Sequence, residues 1–260
     1  MDATILIALL LALLVGVSLG LLGGGGSILT VPILTYVLGM PPQEAIAASL
    51  FVVGVTSAVS VFSHARTGRV RWKTGLIFGA AGMVGAFIGG FVGGFIPGAI
   101  LMVLFAVMMV ATATAMIRGR KKTSSRDRPE GLPLTRIILD GALVGVATGL
   151  VGAGGGFLIV PALTLLGGLP MAVAIGTSLL VIAMKSAAGL GGYLFTVQLQ
   201  WPIVLAFTGA AVAGSFFGTM LTGKIPENTL RKGFGIFVLV MGVFVLTQEI
   251  PQLFTLLGST

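Results

Sequence analysis

One lysine lies in the middle of an apolar segment, and its chemistry stands out first. Lys185 belongs to the run GTSLLVIAMKSA at residues 176–187, and no Asp or Glu occurs within two helical turns of it. A lysine at the centre of a membrane segment costs about 2.5–3.5 kcal/mol on insertion scales and is by default functional. An ammonium without an acidic neighbour predicts an anionic ligand. The alternative is a structural lysine that reaches the membrane interface or binds carbonyl groups.

Hydroxyl side chains accompany this lysine and recur in an earlier segment of the chain. Ser178 and Ser186 are eight residues apart, about two turns of an α-helix, so they share one face. These hydroxyls predict one of two roles: they replace water around an oxyanion, or they form hydrogen bonds between membrane helices. The set consists of Ser49, Thr56, Ser57, Thr177, Ser178 and Ser186.

Two Gly-rich stretches interrupt the apolar segments and complete the predicted site. They read GLLGGGGS at residues 20–27 and GLVGAGGG at residues 149–156. Glycine lets backbone approach a ligand closely, and a helix that starts after such a break presents free N–H groups to an anion. Close packing of membrane helices is the alternative explanation. The predicted anion cradle consists of Gly23, Gly25, Gly26, Gly152, Gly154 and Gly155.

An internal repeat relates the two breaks to each other. Gly16 pairs with Gly145, a shift of 129 positions (145 − 16 = 129), and the same shift brings Trp72 onto Trp201. The pairing needs no gap through residue 101. Repeats in apolar chains are typical of secondary transporters, whose substrate site lies where the two halves meet.

The composition places the chain in a membrane and excludes several functional classes. Hydrophobic residues make up 56% of the chain and charged residues 8%, and the mean hydropathy is +1.13. Soluble domains carry about 25% charged residues. The net charge is +8, but the basic residues cluster in short loops, so nucleic-acid binding is not expected. With no cysteine and one histidine, neither a metal nor another cofactor is expected.

The loop charges predict that the two halves have opposite orientations. The loop that carries Arg69 and Arg71 is basic, whereas its counterpart at residues 196–200 is uncharged. The next loop shows the reverse, since residues 95–98 are uncharged and the equivalent loop carries Lys224. Short basic loops face the cytoplasm. Each half therefore crosses an odd number of times, and both termini are expected outside.

The predicted organisation is two membrane repeats joined by a linker. The first repeat covers residues 1–117, a basic cytoplasmic linker 118–136, the second repeat 137–247, and a C-terminal tail 248–260. The second apolar segment of each half is too short to span a bilayer alone. The sequence thus predicts an all-α polytopic membrane protein with two inverted-topology repeats. It has Gly-rich broken or re-entrant first helices and about eight transmembrane crossings, within a range of roughly six to ten.

Few other titratable residues interrupt the apolar segments. His64 and Arg66 are expected to mark the cytoplasmic end of the third segment, and a pH-sensing gate at His64 is the alternative. Glu44 lies in the first turn of that segment, where a carboxylate complements the helix dipole, and Asp140 is expected at the interface. Any proton coupling would have to use Glu44, Asp140, His64 or the substrate itself.

These motifs resemble the TauE/SafE family, also called the toluene-sulfonate uptake permease family, which includes sulfite exporters. The resemblance covers nearly the whole chain outside the linker and tail, and it implies an anion carrier of bacterial cytoplasmic membranes. Family members are implicated in moving sulfite, sulfoacetate and other organosulfur anions. Arg71 departs from the acidic residue expected at its position. The motifs are the breaks followed by Pro32 and Pro161, the GTSL stretch at 176–179 with Lys185, Ser186 and Gly189, and Gly68-x-Val70-x-Trp72.

The residues and the resemblance together predict a secondary transporter of the inner membrane of a prokaryote. It would move a small sulfur-containing anion by alternating access, with Lys185 neutralising the anion and the breaks offering N–H groups. A passive anion channel is the alternative. An enzyme is not expected, because the chain has no plausible catalytic cluster and no GxxxxGK[ST] nucleotide loop. The expected partners are a small anion and the lipid bilayer. The identity of the anion, the transport direction, the coupling ion and the oligomeric state stay open.

Overall fold

The computed structural model describes residues 3–118, 134–152, 156–161, 163, 169–221 and 227–258, and over these residues the chain is helical without a β-strand. The first half contains α1 (Ala3–Leu22), α2 (Gly25–Pro32) with a π-helical continuation (Ile33–Val37), α3 (Pro42–Arg66), α4 (Trp72–Gly93) and α5 (Gly98–Arg118). The second half contains α6 (Leu134–Val151), α7 (Gly156–Pro161), α8 (Met171–Tyr193), α9 (Trp201–Leu221) and α10 (Glu227–Gly258). The predicted fold class, an all-α polytopic membrane protein, is confirmed.

Five of the described helices are long and apolar enough to cross a membrane: Thr4–Leu22, Pro42–Arg66, Trp72–Gly93, Met171–Tyr193 and Trp201–Leu221. Their outer faces are apolar. On α1, for example, Leu6, Leu10 and Leu14 follow one another at a spacing of one helical turn and are each more than half exposed. Such a stripe would be unfavourable in water and suits contact with lipid.

The first helix of each half is broken and is followed by a short helix. α1 ends at Leu22 because Gly23 adopts a left-handed backbone with φ of 72°, and the second short helix, α7, follows Gly152, whose φ is 70°. After the break α2 turns back along α1, so that Gly26 packs against Val15 and Leu19. The apolar part of this returning unit covers only Gly26–Val37, too short to span a bilayer unaided.

The last helix is longer than the apolar pattern predicted. The predicted span ended at Thr247, with a tail over residues 248–260, but α10 continues to Gly258. Gln248 and Glu249 end the hydrophobic run without ending the helix, because the backbone hydrogen bonds of a helix form within the segment regardless of side-chain polarity. Glu249 is buried against the first half instead.

The two halves pack in exchanged pairs. The first helix of each half lies against the fourth helix of the other, so α6 packs on α4 and α1 packs on α9. Gly145 of α6 lies on the backbone of Gly82, and Gly16 of α1 lies on the backbone of Ala211, the residue equivalent to Gly82. A Cβ at either glycine would overlap a carbonyl group of the partner helix. The halves therefore interlock and do not form separate lobes.

The relative direction of equivalent helices follows from their contacts. Along the α3–α8 contact, Leu50 lies beside Gly189 and His64 lies beside Gly176, so residue numbers rise in one helix as they fall in the other. These two helices occupy equivalent positions in the two repeats. Their antiparallel course is the relation that inverted-topology repeats require.

Within each half, the first and third helices end together. The Tyr193 hydroxyl at the end of α8 donates a 2.6 Å hydrogen bond to the Leu150 carbonyl near the end of α6. At the equivalent place in the first half, His64 of α3 faces the Gly20 carbonyl of α1. The first and third helices of a half therefore run in the same direction, and the short second helix returns the chain between them.

Two glycines of α9 test the close contact with α1. Alanine at Gly214 would overlap the backbone of Leu13, whereas nothing lies within 4 Å of a Cβ at Gly209. Overpacking costs about 1–3 kcal/mol, which exceeds the gain of about 1 kcal/mol when alanine replaces glycine in a helix. We expect Gly214→Ala to lower the Tm of the protein in detergent and Gly209→Ala to leave it unchanged or raise it. Equal Tm values for the two variants would contradict the contact.

Candidate functional site

The break glycines lie against the third helix of the opposite half. A side chain at Gly23 would press on Ile175 and Ser178 of α8, and one at Gly152 would press on Ile46 of α3. Both glycines have positive φ, a conformation that other residues adopt only with strain. At these two positions the structure therefore requires glycine for conformation and for close packing together.

Serine side chains of α3 and α8 face the carbonyl groups of the breaks. Ser49 Oγ of α3 donates a 3.0 Å hydrogen bond to the Gly152 carbonyl. Its repeat equivalent, Ser178 of α8, lies 3.4 Å from the Gly23 carbonyl and donates a shorter 2.8 Å bond to Ile175 in its own helix. Both serines were predicted to contact the substrate. In this conformation the Ser49 hydroxyl satisfies the Gly152 carbonyl, and the Ser178 hydroxyl lies beside the Gly23 carbonyl, so each serine is close to the break of the opposite half.

The N-terminal ends of the two short helices meet. Gly24, just before α2, is in backbone contact with Gly156, the first residue of α7. The Ser27 hydroxyl, one turn into α2, donates a 2.7 Å hydrogen bond to the Gly24 carbonyl. Of the predicted cradle, Gly25 begins α2 and Gly26 packs on α1, while Gly154 and Gly155 lie outside the described residues.

Lys185 is fully buried, with 1% of its surface exposed. Its aliphatic chain lies on Gly82 of α4, where a Cβ would overlap Cε of the lysine. Its ammonium nitrogen is 4.8 Å from the centre of the Phe78 ring, a cation–π distance, and has no hydrogen-bond partner among the described residues. Gly82 therefore leaves room for the lysine side chain, whose ammonium has no counter-ion within the described part of the chain.

Three buried hydroxyls, like this lysine, lack a hydrogen-bond partner among the residues that the structure describes. Thr56, Ser57 and Ser186 are buried, and their oxygens make no hydrogen bond in the described part of the chain. Ser186 lies beside Gly54 of α3, with its Cβ 3.2 Å from where a Cβ of that glycine would be. Because α3 and α8 are antiparallel, this register brings Thr56 and Ser57 to within about a turn of the level of Lys185. Four of the predicted site residues therefore lie buried and without hydrogen-bond partners at one level of α3 and α8, and this level is called the Lys185 zone.

Thr177 has a different environment from the other predicted hydroxyls. Its Oγ1 accepts a 3.0 Å hydrogen bond from the backbone N–H of Arg71, the residue that precedes α4. The contact fixes the start of α4 against α8. The predicted role of Thr177 in substrate binding is not supported by an unsatisfied group, since its oxygen already has a donor.

A histidine and a tyrosine hold equivalent positions that sequence reasoning did not connect. His64 was expected at the cytoplasmic interface, but it is 1% exposed, and its Nε2 lies 3.3 Å from the Gly20 carbonyl. Tyr193 is its counterpart at the same 129-residue shift, and it is also buried. Both side chains bind carbonyls in the last turn before a break. The repeat shift, applied to His64, would have revealed the pair.

A buried carboxylate was also missed. Glu249 of α10 is 2% exposed and accepts a 2.7 Å hydrogen bond from the Tyr36 hydroxyl through Oε1. Its Oε2 has no partner among the described residues. Tyr36 packs edge-on against Phe244, with 5.7 Å between ring centres. The signal in the sequence was a single acidic residue two positions before Pro251, which was assigned to the tail.

Two serines of α3 test whether the break depends on the opposite half. Ser49 donates to Gly152, whereas Ser60 donates only to the Thr56 carbonyl of its own helix. We expect Ser49→Ala to lower the Tm more than Ser60→Ala, because it leaves a buried carbonyl of the break unsatisfied, at a cost of about 1 kcal/mol. Scanning fluorimetry in detergent measures both. An equal loss from the two substitutions would show that the bond across the halves does not matter.

Comparison with known proteins agrees with the architecture. Residues 8–245 match the family model described as sulfite exporter TauE/SafE. A probable membrane transporter protein of Xylella fastidiosa (strain Temecula1) is 36% identical, with 91% of this chain and 92% of the relative covered. Another from Methanocaldococcus jannaschii is 32% identical, with 95% and 98% covered. One from Bacillus subtilis is 26% identical, with 93% and 100% covered.

No solved structure matches the chain. The match to the family model extends from α1 into α10 and includes both breaks and Lys185. The similar proteins are described as transporters, in agreement with the apolar helices. The chain therefore belongs to the sulfite exporter TauE/SafE family and is a multi-pass membrane transporter, not an enzyme.

Proposed function

We propose that the protein is a secondary transporter for a small sulfur-containing anion, such as sulfite or an organosulfonate. It works by alternating access in the inner membrane of a prokaryote, with both termini outside. The observation that carries this proposal is the buried Lys185 ammonium, which has no hydrogen-bond partner among the described residues.

An anionic ligand resolves the energetic problem that this lysine creates. A buried charge without a partner costs several kcal/mol or more, and the Phe78 ring offsets only about 2 kcal/mol of that. Thr56, Ser57 and Ser186 add three hydroxyls whose donors are unused. A negative charge beside the ammonium, with oxygens that accept from the hydroxyls, would satisfy all four groups at once.

The position of these groups supports movement between two states. They lie on α3 and α8, equivalent helices that run antiparallel across the contact between the halves. Each break is held by a serine of the opposite half, through Ser49 and Ser178. A displacement of one half relative to the other would therefore alter the zone around Lys185 and the breaks together, as alternating access requires.

The number of charges in the zone favours an anion with one negative charge per head group. Lys185 is the one fully buried Lys or Arg among the described residues. A singly charged sulfonate, or sulfite in its hydrogensulfite form, is neutralised by one ammonium, whereas sulfate would leave a second charge unpaired in a medium of low dielectric constant.

Thermal-shift measurements on purified protein test the ligand class and the site. The panel contains sulfite, methanesulfonate, sulfoacetate, sulfate, acetate and chloride. We expect methanesulfonate or sulfite to raise the Tm more than sulfate does, and Lys185→Met to abolish the rise. Without ligand, Lys185→Met should raise the Tm, because it removes a buried unpaired charge.

Lys73→Met is the matched control, since Lys73 is exposed at the start of α4. It should respond to the anions as wild type does. A Lys185→Met protein that is still stabilised by the same anion would exclude this lysine from the site. No response of the wild type to any of the anions would contradict the proposed function.

Counterflow in proteoliposomes distinguishes a carrier from a channel. We expect uptake of labelled sulfite or sulfonate to saturate and to be accelerated by unlabelled anion inside the vesicles, because alternating access returns the loaded site faster than the empty one. Lys185→Met should reduce the rate at least tenfold, and Lys73→Met should not. Uptake that is linear in concentration and indifferent to internal anion would identify a passive channel.

A further inference from the structure

We infer that Glu249 and Tyr36 form a binding site for a monovalent cation, either the proton or Na⁺, at the contact between α10 and the broken helix of the first half. This site is separate from the Lys185 zone and has the opposite charge. Cation binding itself does not depend on the proposed function. Its coupling to transport does rest on that function.

Glu249 occupies a position that the helix otherwise fills with small or apolar residues. The buried face of α10 runs through Gly235, Val238, Gly242 and Val245, and Glu249 continues it one turn later. On either side of it Gln248 and Ile250 are exposed. The carboxylate therefore points into the protein because of its position on the buried face of α10. A carboxylate at position 248 or 250 would point outward.

No opposite charge within the described residues accompanies this carboxylate. The helices packed against α10 are mainly α5 and α2. The charged residue of α5 is Arg118, exposed at its C-terminal end, and α2 and its π-helical continuation contain none. On α10 itself, the other charged residues, Glu227, Arg231 and Lys232, lie near the opposite end. The titratable group that faces Glu249 is Tyr36.

A single hydrogen bond does not balance a buried carboxylate. Tyr36 donates to Oε1 at 2.7 Å, while Oε2 has no donor. An unpaired ionised carboxylate in a protein interior costs several kcal/mol, and a hydrogen bond to a charged group returns about 1.5–3 kcal/mol of this. A positive charge at Oε2 would offset the remaining unfavourable free energy of burying the carboxylate. Either a proton completes the carboxylic acid, or Na⁺ binds to the oxygens of the carboxylate.

The tyrosine connects this site to the break in the first half. Tyr36 lies in the π-helical stretch Ile33–Val37, which follows Pro32 in the helix that begins at Gly25. π-Helical turns are rare in proteins overall, but those that occur are often found at functional sites. A change of charge on Glu249 alters the strength of its bond to Tyr36. Cation binding is therefore transmitted to α2, whose N-terminal end contacts the second half.

The sequence repeat does not provide a second carboxylate–phenol pair. The 129-residue shift places Leu165 at the position of Tyr36 and Arg120 at the position of Glu249. Neither substitute can form a carboxylate–phenol pair. A group that served only to pack the scaffold would be expected in both repeats. The glycine contacts that hold the halves together, between α1 and α9 and between α4 and α6, do occur in both.

Purified protein in detergent, without any anionic substrate, is used for the test. In the Na⁺ arm, NaCl replaces choline chloride at constant ionic strength. If the cation is Na⁺, the Tm of wild type rises by roughly 3 °C when Na⁺ is about ten times its Kd, and Glu249→Gln shows no rise. In the proton arm, infrared spectra are recorded at neutral pH, where exposed carboxyl groups are ionised. If the cation is the proton, wild type shows a protonated-carboxyl band that Glu249→Gln lacks.

Glu44 was one of the candidates for proton coupling, but its carboxylate accepts hydrogen bonds from Gln200 at the surface and so has partners in the structure. Glu44→Gln is therefore the matched control. It should behave as wild type in both arms. Size-exclusion profiles check folding. If Glu249→Gln does not fold, Tyr36→Phe replaces it, and we expect a change of at least twofold in the Na⁺ midpoint or a shift of the carboxyl band.

Two results would overturn the inference. One is identical behaviour of wild type and Glu249→Gln in both arms, and the other is the absence of both responses in wild type.

Coupling is then examined in proteoliposomes with an imposed gradient of the identified cation. The gradient should drive accumulation of the anion in wild type and Glu44→Gln but not in Glu249→Gln. Cation binding without transport of any sulfur anion would contradict the proposed function and leave the cation site standing.

Discussion

The close approach of backbones between the two halves is the constraint on which the rest of the structure depends. Helices in a bilayer gain no hydrophobic driving force from packing on one another, so they associate through tight van der Waals contact at small residues. Here the contact is repeated, once between α4 and α6 and once between α1 and α9. Because each seam joins the first helix of one half to the fourth helix of the other, neither half has a complete core of its own. The breaks are thereby carried into the middle of the molecule, where each meets the opposite half.

Much of this arrangement could be predicted from the sequence, because the features concerned are periodic or repeated. The broken helices follow the two Gly-rich stretches, as predicted. The shift of 129 positions in the sequence reappears as equivalent contacts, such as those of Gly16 and Gly145. The burial of Lys185 follows from its place in an apolar run. The orientation of the halves in the membrane and the role of the predicted site residues stay predictions.

What could not be predicted depends on contacts between distant segments. Residue types alone do not show which hydroxyls already have a hydrogen-bond partner, so Thr177 and Thr56 were equivalent candidates. Only the fold brings the Arg71 N–H to Thr177 and leaves the Thr56 oxygen without a donor. Gly82 was not recognised either, since its small size matters only because Lys185 lies across it. Glu249 was assigned to a tail because hydropathy measures the average of a window and not the direction of one side chain.

The scaffold is symmetric, whereas the groups proposed to bind ions are not. The seams, the breaks and the serine bonds occur twice, and such a scaffold offers two related conformations of similar energy, which alternating access needs. Lys185 is paired with Thr56 by the repeat, and Glu249 with Arg120. Each proposed ion-binding group therefore occurs once: the Lys185 ammonium has a neutral counterpart, and the Glu249 carboxylate has a counterpart of opposite charge. If both positions were charged alike, the anion zone would hold two ammonium groups at the same level and would repel itself when empty. One lysine and one separate carboxylate allow a ligand of each sign to bind without that penalty, while the repeated backbone supplies the motion.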